Sequence, residues 1–158
     1  MANIDMKRGG SVVGFSDTSQ ATPGVVSIKL TGADAVAAKG GALAANDIIY
    51  VCDIPAGARI SGATLNVITA DTGTTLTFDL GDGTAADEWV DGADGTTTGF
   101  AAEGTNGVFS QQKLYTSADV LDLKVATASS ADDNWEVEVL FELVDYSGNP
   151  RAKTLKEA

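Results

Sequence analysis

Across residues 135–143, apolar side chains stand at every second position (Trp135, Val137, Val139, Phe141 and Leu143), with Glu136, Glu138 and Glu142 between them. A period of two suits an extended strand that buries one face and wets the other, and it does not suit a helix. The same alternation recurs over residues 26–30, 48–54, 63–69, 75–80 and 121–125, with shorter traces at 12–15 and 108–115. Turn chemistry separates these stretches: Pro55-Ala56-Gly57, Asp71-Thr72-Gly73, Gly81-Asp82-Gly83, Asn106-Gly107 and Ser147-Gly148-Asn149-Pro150. Roughly six to eight strands at this spacing predict an all-β protein, an antiparallel two-sheet sandwich that is jelly-roll-like. The stretches 63–69 and 75–80, joined by residues 70–74, read as a hairpin.

Two segments depart from the pattern. Residues 33–46 are rich in alanine but interrupted by Gly40-Gly41, so they fit either a short broken helix or an extended loop. Residues 81–107, full of Gly, Asp and Thr, read as one long loop with a short turn near 85–90, and loops of more than about 15 residues in a compact domain are often functional. No repeat or internal linker divides the chain. The expected organisation is an N-terminal arm over 1–11, one sandwich domain over 12–149 and a tail over 150–158 that begins at Pro150.

Charge divides the same way. Of the chain's 22 acids and 10 bases, residues 9–150 hold 20 acids and 5 bases, while residues 1–8 and 151–158 together hold 2 acids and 5 bases. An acidic body repels phosphate backbones, so nucleic acid is not an expected partner. Lys7, Arg8, Arg151, Lys153 and Lys156 make both ends basic: either solubilising, flexible tails or grips for an acidic partner surface.

Several chemistries are excluded or unsupported. With no histidine, Ser–His–Asp, Cys–His and zinc–histidine arrangements cannot form. The single cysteine, Cys52, has no internal disulfide partner, and its apolar neighbours predict a small buried side chain. The longest apolar run, residues 48–52, is far short of the roughly 20 residues of a membrane helix, and no apolar run follows Lys7-Arg8 to make a secretory signal. A soluble protein without a membrane partner is expected.

Gly81-Asp82-Gly83-Thr84-Ala85-Ala86 matches the G-x-G-x-x-A spacing of dinucleotide folds, but Asp82 would face the phosphates and no βαβ pattern surrounds it. Asp79, Asp82, Asp87, Glu88, Asp91 and Asp94 offer hard oxygen ligands of the kind calcium takes. In an EF-hand register, however, Trp89 falls where an acid belongs, so turn capping is the better reading and no metal or cofactor is assigned. Carboxylate pairs can hydrolyse glycosides, yet Glu136, Glu138 and Glu142 alternate along the expected wet face of one strand, and no pair stands apart. Trp89 and Trp135 could stack on sugars, although Trp135, in phase with Val137, is expected in the core.

The run Ile48-Ile-Tyr-Val-Cys-Asp-Ile-Pro-Ala-Gly-Ala-Arg-Ile60, followed by Phe78-Asp-Leu-Gly-Asp-Gly-Thr-Ala-Ala-Asp-Glu-Trp-Val-Asp-Gly-Ala-Asp94, resembles segments of small structural proteins from the virion gene clusters of tailed bacteriophages. The likeness spans residues 48–99 and includes no catalytic residue. It implies a non-enzymatic protein made in the host cytoplasm and carried on the capsid exterior. There it would act as a cement or decoration protein that binds the major capsid protein as a dimer or trimer, with the basic ends as natural arms. The alternative is a tail or host-attachment module that holds a glycan or receptor through the 81–107 loop.

Overall fold

The computed structural model describes residues 1–6, 24–101, 113–131 and 133–146; at 24–25 and 143–146 the description is of backbone. The strands are β1 (Asn3–Asp5), β2 (Gly24–Thr31), β3 (Ile48–Ile54), β4 (Ala58–Thr69), β5 (Thr77–Asp82), β6 (Val90–Asp94), β7 (Gly99–Ala101), β8 (Lys113–Leu114), β9 (Asp119–Thr127) and β10 (Glu136–Tyr146). They form two five-stranded sheets. Sheet A has the order β1-β3-β9-β5-β6, and sheet B the order β2-β10-β4-β7 with β8 also on β4. Every pairing is antiparallel except β1 with β3. The expected all-β, two-sheet sandwich is the fold.

The core lies between the sheets. Leu65, Val67, Val137, Val139 and Phe141 of sheet B meet Ile49, Phe78, Leu80, Leu121, Leu123 and Val125 of sheet A, all of them buried. Trp135 packs edge-to-face on Phe78, with ring centroids 4.9 Å apart and planes at 73°. Glu136, Glu138 and Glu142 take the outer face of β10, where Glu136 pairs with Lys29, Glu138 with Ser27 and Glu142 with Ser61. Cys52 is buried, as its neighbours predict.

Three expectations are corrected. Residues 63–69 and 75–80 do not form a hairpin: β4 lies in sheet B and β5 in sheet A. Asp71, in the connecting turn, accepts hydrogen bonds from Gly73 N, Ser129 Oγ and Asn134 N, while its own N–H donates to Gly95 O. The β9–β10 connection thus pins the turn across the end of the sandwich, and the chain changes sheets there. Second, residues 81–107 are not one open loop, because β5 runs to Asp82 and β6 and β7 follow. Val90-Asp91-Gly92-Ala93-Asp94 carries little strand propensity, but Val90 and Ala93 face Leu80 and Phe78 across the sheet, and Gly92 takes the irregularity between them at φ 68°. Third, the N-terminal arm is not free at its start, since β1 pairs with β3 and Ile4 is buried.

Within 33–46 the helix alternative holds. Helix α1 (Gly32–Lys39) is capped by Thr31, whose Oγ1 accepts from Asp34 N, and ends at Gly40, which takes the left-handed conformation at φ 76°. Among the described residues no helix is long and apolar enough to cross a membrane. The possible strand at 12–15 and most of that at 108–115 lie outside the described residues, β8 being the part of the latter that is described.

Candidate functional site

The residues expected to grip a partner, Lys7, Arg8, Arg151, Lys153 and Lys156, all lie outside the described residues. The other candidate, the acidic stretch 79–94, is described throughout, and Asp79, Asp82 and Asp94 each bind a different set of donors.

Asp82 ends β5 at the rim of the sandwich and is 1% exposed. One carboxylate oxygen accepts from Thr84 N (3.0 Å) and Ala85 N (3.1 Å), the other from Lys113 Nζ (2.6 Å) and Tyr115 OH (2.8 Å). Burial works to raise its pKa, but the Lys113 ammonium, the Tyr115 hydroxyl and the two backbone donors outweigh it and hold the carboxyl below its ordinary value. The same burial and the Asp82 charge push the Tyr115 phenol far up. Lys113 also reaches Glu88 at 3.4 Å and lies 5.5 Å from the centre of the Tyr115 ring. Two of these four donors, Lys113 of β8 and Tyr115 just beyond it, thus fasten β8 to the β5–β6 hairpin.

The remaining acids have separate duties. Asp79 accepts from Lys124 Nζ across the sheet at 2.8 Å and from Gly92 N at 2.9 Å. Asp94 accepts from the N–H and hydroxyl of Thr96 and the hydroxyl of Thr97, which lower its pKa. The charges of Asp87 and Asp91 act on Lys124. Among the described residues no three acid or cysteine side chains converge in a way that could hold a metal ion.

The Gly81–Ala86 spacing has a structural cause. A Cβ on Gly81 would lie 2.1 Å from Ala85 O, so glycine lets the chain fold back over β5. The N–H groups of Gly83, Thr84 and Ala85, which would cradle a phosphate in a nucleotide loop, donate instead to Asp119 and Asp82. Trp89 is buried at 3% exposure, and sugar stacking is therefore closed to it; Trp135 sits in the core as expected.

Sequence reasoning missed one surface. Phe100 is 70% exposed and Leu114 49% exposed. Phe100 lies opposite Asn66 and Leu114 opposite Arg59, whereas Ile60, Leu65 and Val67 of β4 point into the core, so both apolar side chains take the outer face of sheet B. Only the period of two in β4 carried a signal for this, and β7 and β8 are too short to show their own.

No protein-family model matches the chain, and no curated protein matches it by sequence. Solved structures match by fold. A chain in the capsid of Ralstonia phage GP4 superposes with a TM-score of 0.61 at 21% identity, over 92% of this chain and 100% of that one. A chain in the cyanophage Pam1 capsid asymmetric unit gives 0.51 at 20% identity, over 82% of this chain and 90% of that one. The two-sheet fold built from these residues is therefore one found in phage capsids, in agreement with the virion resemblance of residues 48–99.

Proposed function

We propose that this protein is a non-enzymatic structural component of a tailed-phage virion, a cement or decoration protein that binds the shell of major capsid protein from outside and stabilises the head. The observation that carries this reading is a fold shared over 92% of the chain with a chain in a phage capsid. The carboxylates of the acidic stretch support it, because Asp79, Asp82 and Asp94 are taken up by donors within the fold rather than presented to a substrate. A dimer or trimer bridging several shell subunits gains from multivalency, since release requires several contacts to break together.

In this reading Lys7, Arg8, Arg151, Lys153 and Lys156 anchor the sandwich to acidic patches on the shell. The test is co-sedimentation with capsids that lack the protein, at low and high salt, using the full-length chain, a Lys7→Gln/Arg8→Gln variant that keeps β1, and a chain cut to remove residues 152–158. Both changes are expected to leave the sandwich folded and to weaken binding, and salt to weaken it further, because exposed charges are screened over about 8–10 Å at physiological ionic strength. Undiminished binding by both altered forms would refute the anchoring role. Quantitative mass spectrometry of purified particles tests the wider reading: tens to hundreds of copies are expected of a cement protein, whereas a few copies would favour a tail or host-attachment module.

A further inference from the structure

Asp122 lies in the middle of β9, 2% exposed, and its Oδ1 has no hydrogen-bond partner among the described residues. Across the sheet it faces Gly81 on one side and Tyr50 on the other. Gly81 is the residue over which residues 83–88 fold back, its missing Cβ leaving room for Ala85 O at 2.1 Å and Ala86 Cα at 2.6 Å. Cross-strand neighbours project to the same face of a sheet, so the turn that covers Gly81 also covers the Asp122 side chain.

The ionisable residues on the elements around it are Tyr50 and Asp53 of β3, Asp79 and Asp82 of β5, Asp119 and Lys124 of β9 itself, and Asp87 and Glu88 of the turn. Lys124, the cation among them, is bonded to Asp79 at 2.8 Å. Burial, then the negative charges of Asp82 and Asp119, push the Asp122 carboxyl up to about 7, with Lys124 opposing them more weakly. A buried acid with an unpartnered oxygen and carboxylates for neighbours is tolerated as the neutral form.

We propose that residues 83–88 form a pH-responsive clasp, shut over Asp122 while that carboxyl is protonated and released as it loses its proton to solvent. When the clasp opens, water reaches Asp122 and its affinity for the proton falls toward that of a free aspartate. The raised value belongs to the closed form, so the closed form is favoured most below about pH 4, the ordinary aspartate range. It loses that advantage as the pH climbs to about 7 and changes little beyond.

The test is amide hydrogen exchange of the full chain, corrected for intrinsic rates, at several pH values between 5 and 8. The amides of Gly83, Thr84, Ala85 and Glu88 report on the clasp, because Glu88 N bonds Ala85 O within it while Gly83 N ties it to Asp119 and Thr84 N and Ala85 N tie it to Asp82. Opening there is expected to increase between pH 5 and 7 by about tenfold to 100-fold, each unit of pH contributing up to a factor of ten, while β4 and β10 amides stay level. Asp122→Asn should flatten the profile. A level profile in the wild-type turn overturns the proposal without recourse to any variant. An equal increase across β4 and β10, or a folded Asp122→Asn protein that keeps the wild-type slope, overturns it too.

Discussion

Replacing Asp82 by alanine tests whether the ion pair at the sandwich rim holds β8 to the β5–β6 hairpin. The substitution removes the acceptor of four hydrogen bonds and leaves Lys113, Tyr115 OH, Thr84 N and Ala85 N without that partner. Removing one member of a buried charge pair costs about 3–5 kcal/mol, and Asp82 is 1% exposed. Lys113 is 26% exposed and recovers part of its hydration, so the lower half of that range, about 3–4 kcal/mol, is expected. In a chain of 158 residues this lowers Tm by roughly 6–16 °C, at about 2–4 °C per kcal/mol. Denaturant unfolding followed by tryptophan fluorescence measures it directly. The double substitution Asp82→Ala with Lys113→Met should cost less than the two single changes added together, because neither leaves the other's charge stranded. A loss below about 1 kcal/mol for Asp82→Ala, or strict additivity in the cycle, would refute the assignment. The pH dependence has a definite sign: the folded value of Asp82 is depressed, so its contribution is present above the ordinary aspartate range near pH 4 and disappears as the pH falls below it.

Val137→Asp should unfold the protein or cost more than about 4 kcal/mol by placing an unpaired charge where exposure is zero, while Glu138→Gln on the opposite face should stay within about 1 kcal/mol in the same assay. Gly81→Ala is expected to cost about 3 kcal/mol or more, because the new methyl group would meet backbone atoms at 2.1 and 2.3 Å, and thermal melting would show it. Adding a chelator, then calcium, should leave Tm unchanged, since Asp79, Asp82 and Asp94 already bind donors within the fold; a reversible shift would mean that an ion is linked to the native state.

The strand of residues 135–143 was legible because each alternate residue meets the same environment, and Val137, Val139 and Phe141 are all buried. Local chemistry also located the turn at residues 70–74. It could not reveal whether the strands on either side pair or part, because that is decided by Ser129 and Asn134, 58 and 63 residues from Asp71. Strand β6 stayed hidden for a related reason: its residues prefer turns, and cross-strand partners on β5 override them. The acidic stretch displayed its carboxylates but not their partners, with Lys113 lying 31 residues beyond Asp82 and Lys124 lying 45 beyond Asp79. Exposed Phe100 and Leu114 sit on strands of three and two residues, too short to express a period.

The place of β10 in sheet B has a consequence for synthesis. Among the described residues it is the last strand, and it lies between β2 and β4, joining Ser27 to Glu138 across 111 residues. While the protein leaves the ribosome, β2 and β4 are already in solution with their facing edges unsatisfied, and neither can pair with the other in the native register. Closing so long a loop is slow, and open strand edges are where nascent chains stick to one another. Sheet B is therefore completed only when β10 arrives, and a chain stopped before Glu136 carries every strand of sheet A but, in sheet B, lacks the strand that joins β2 to β4.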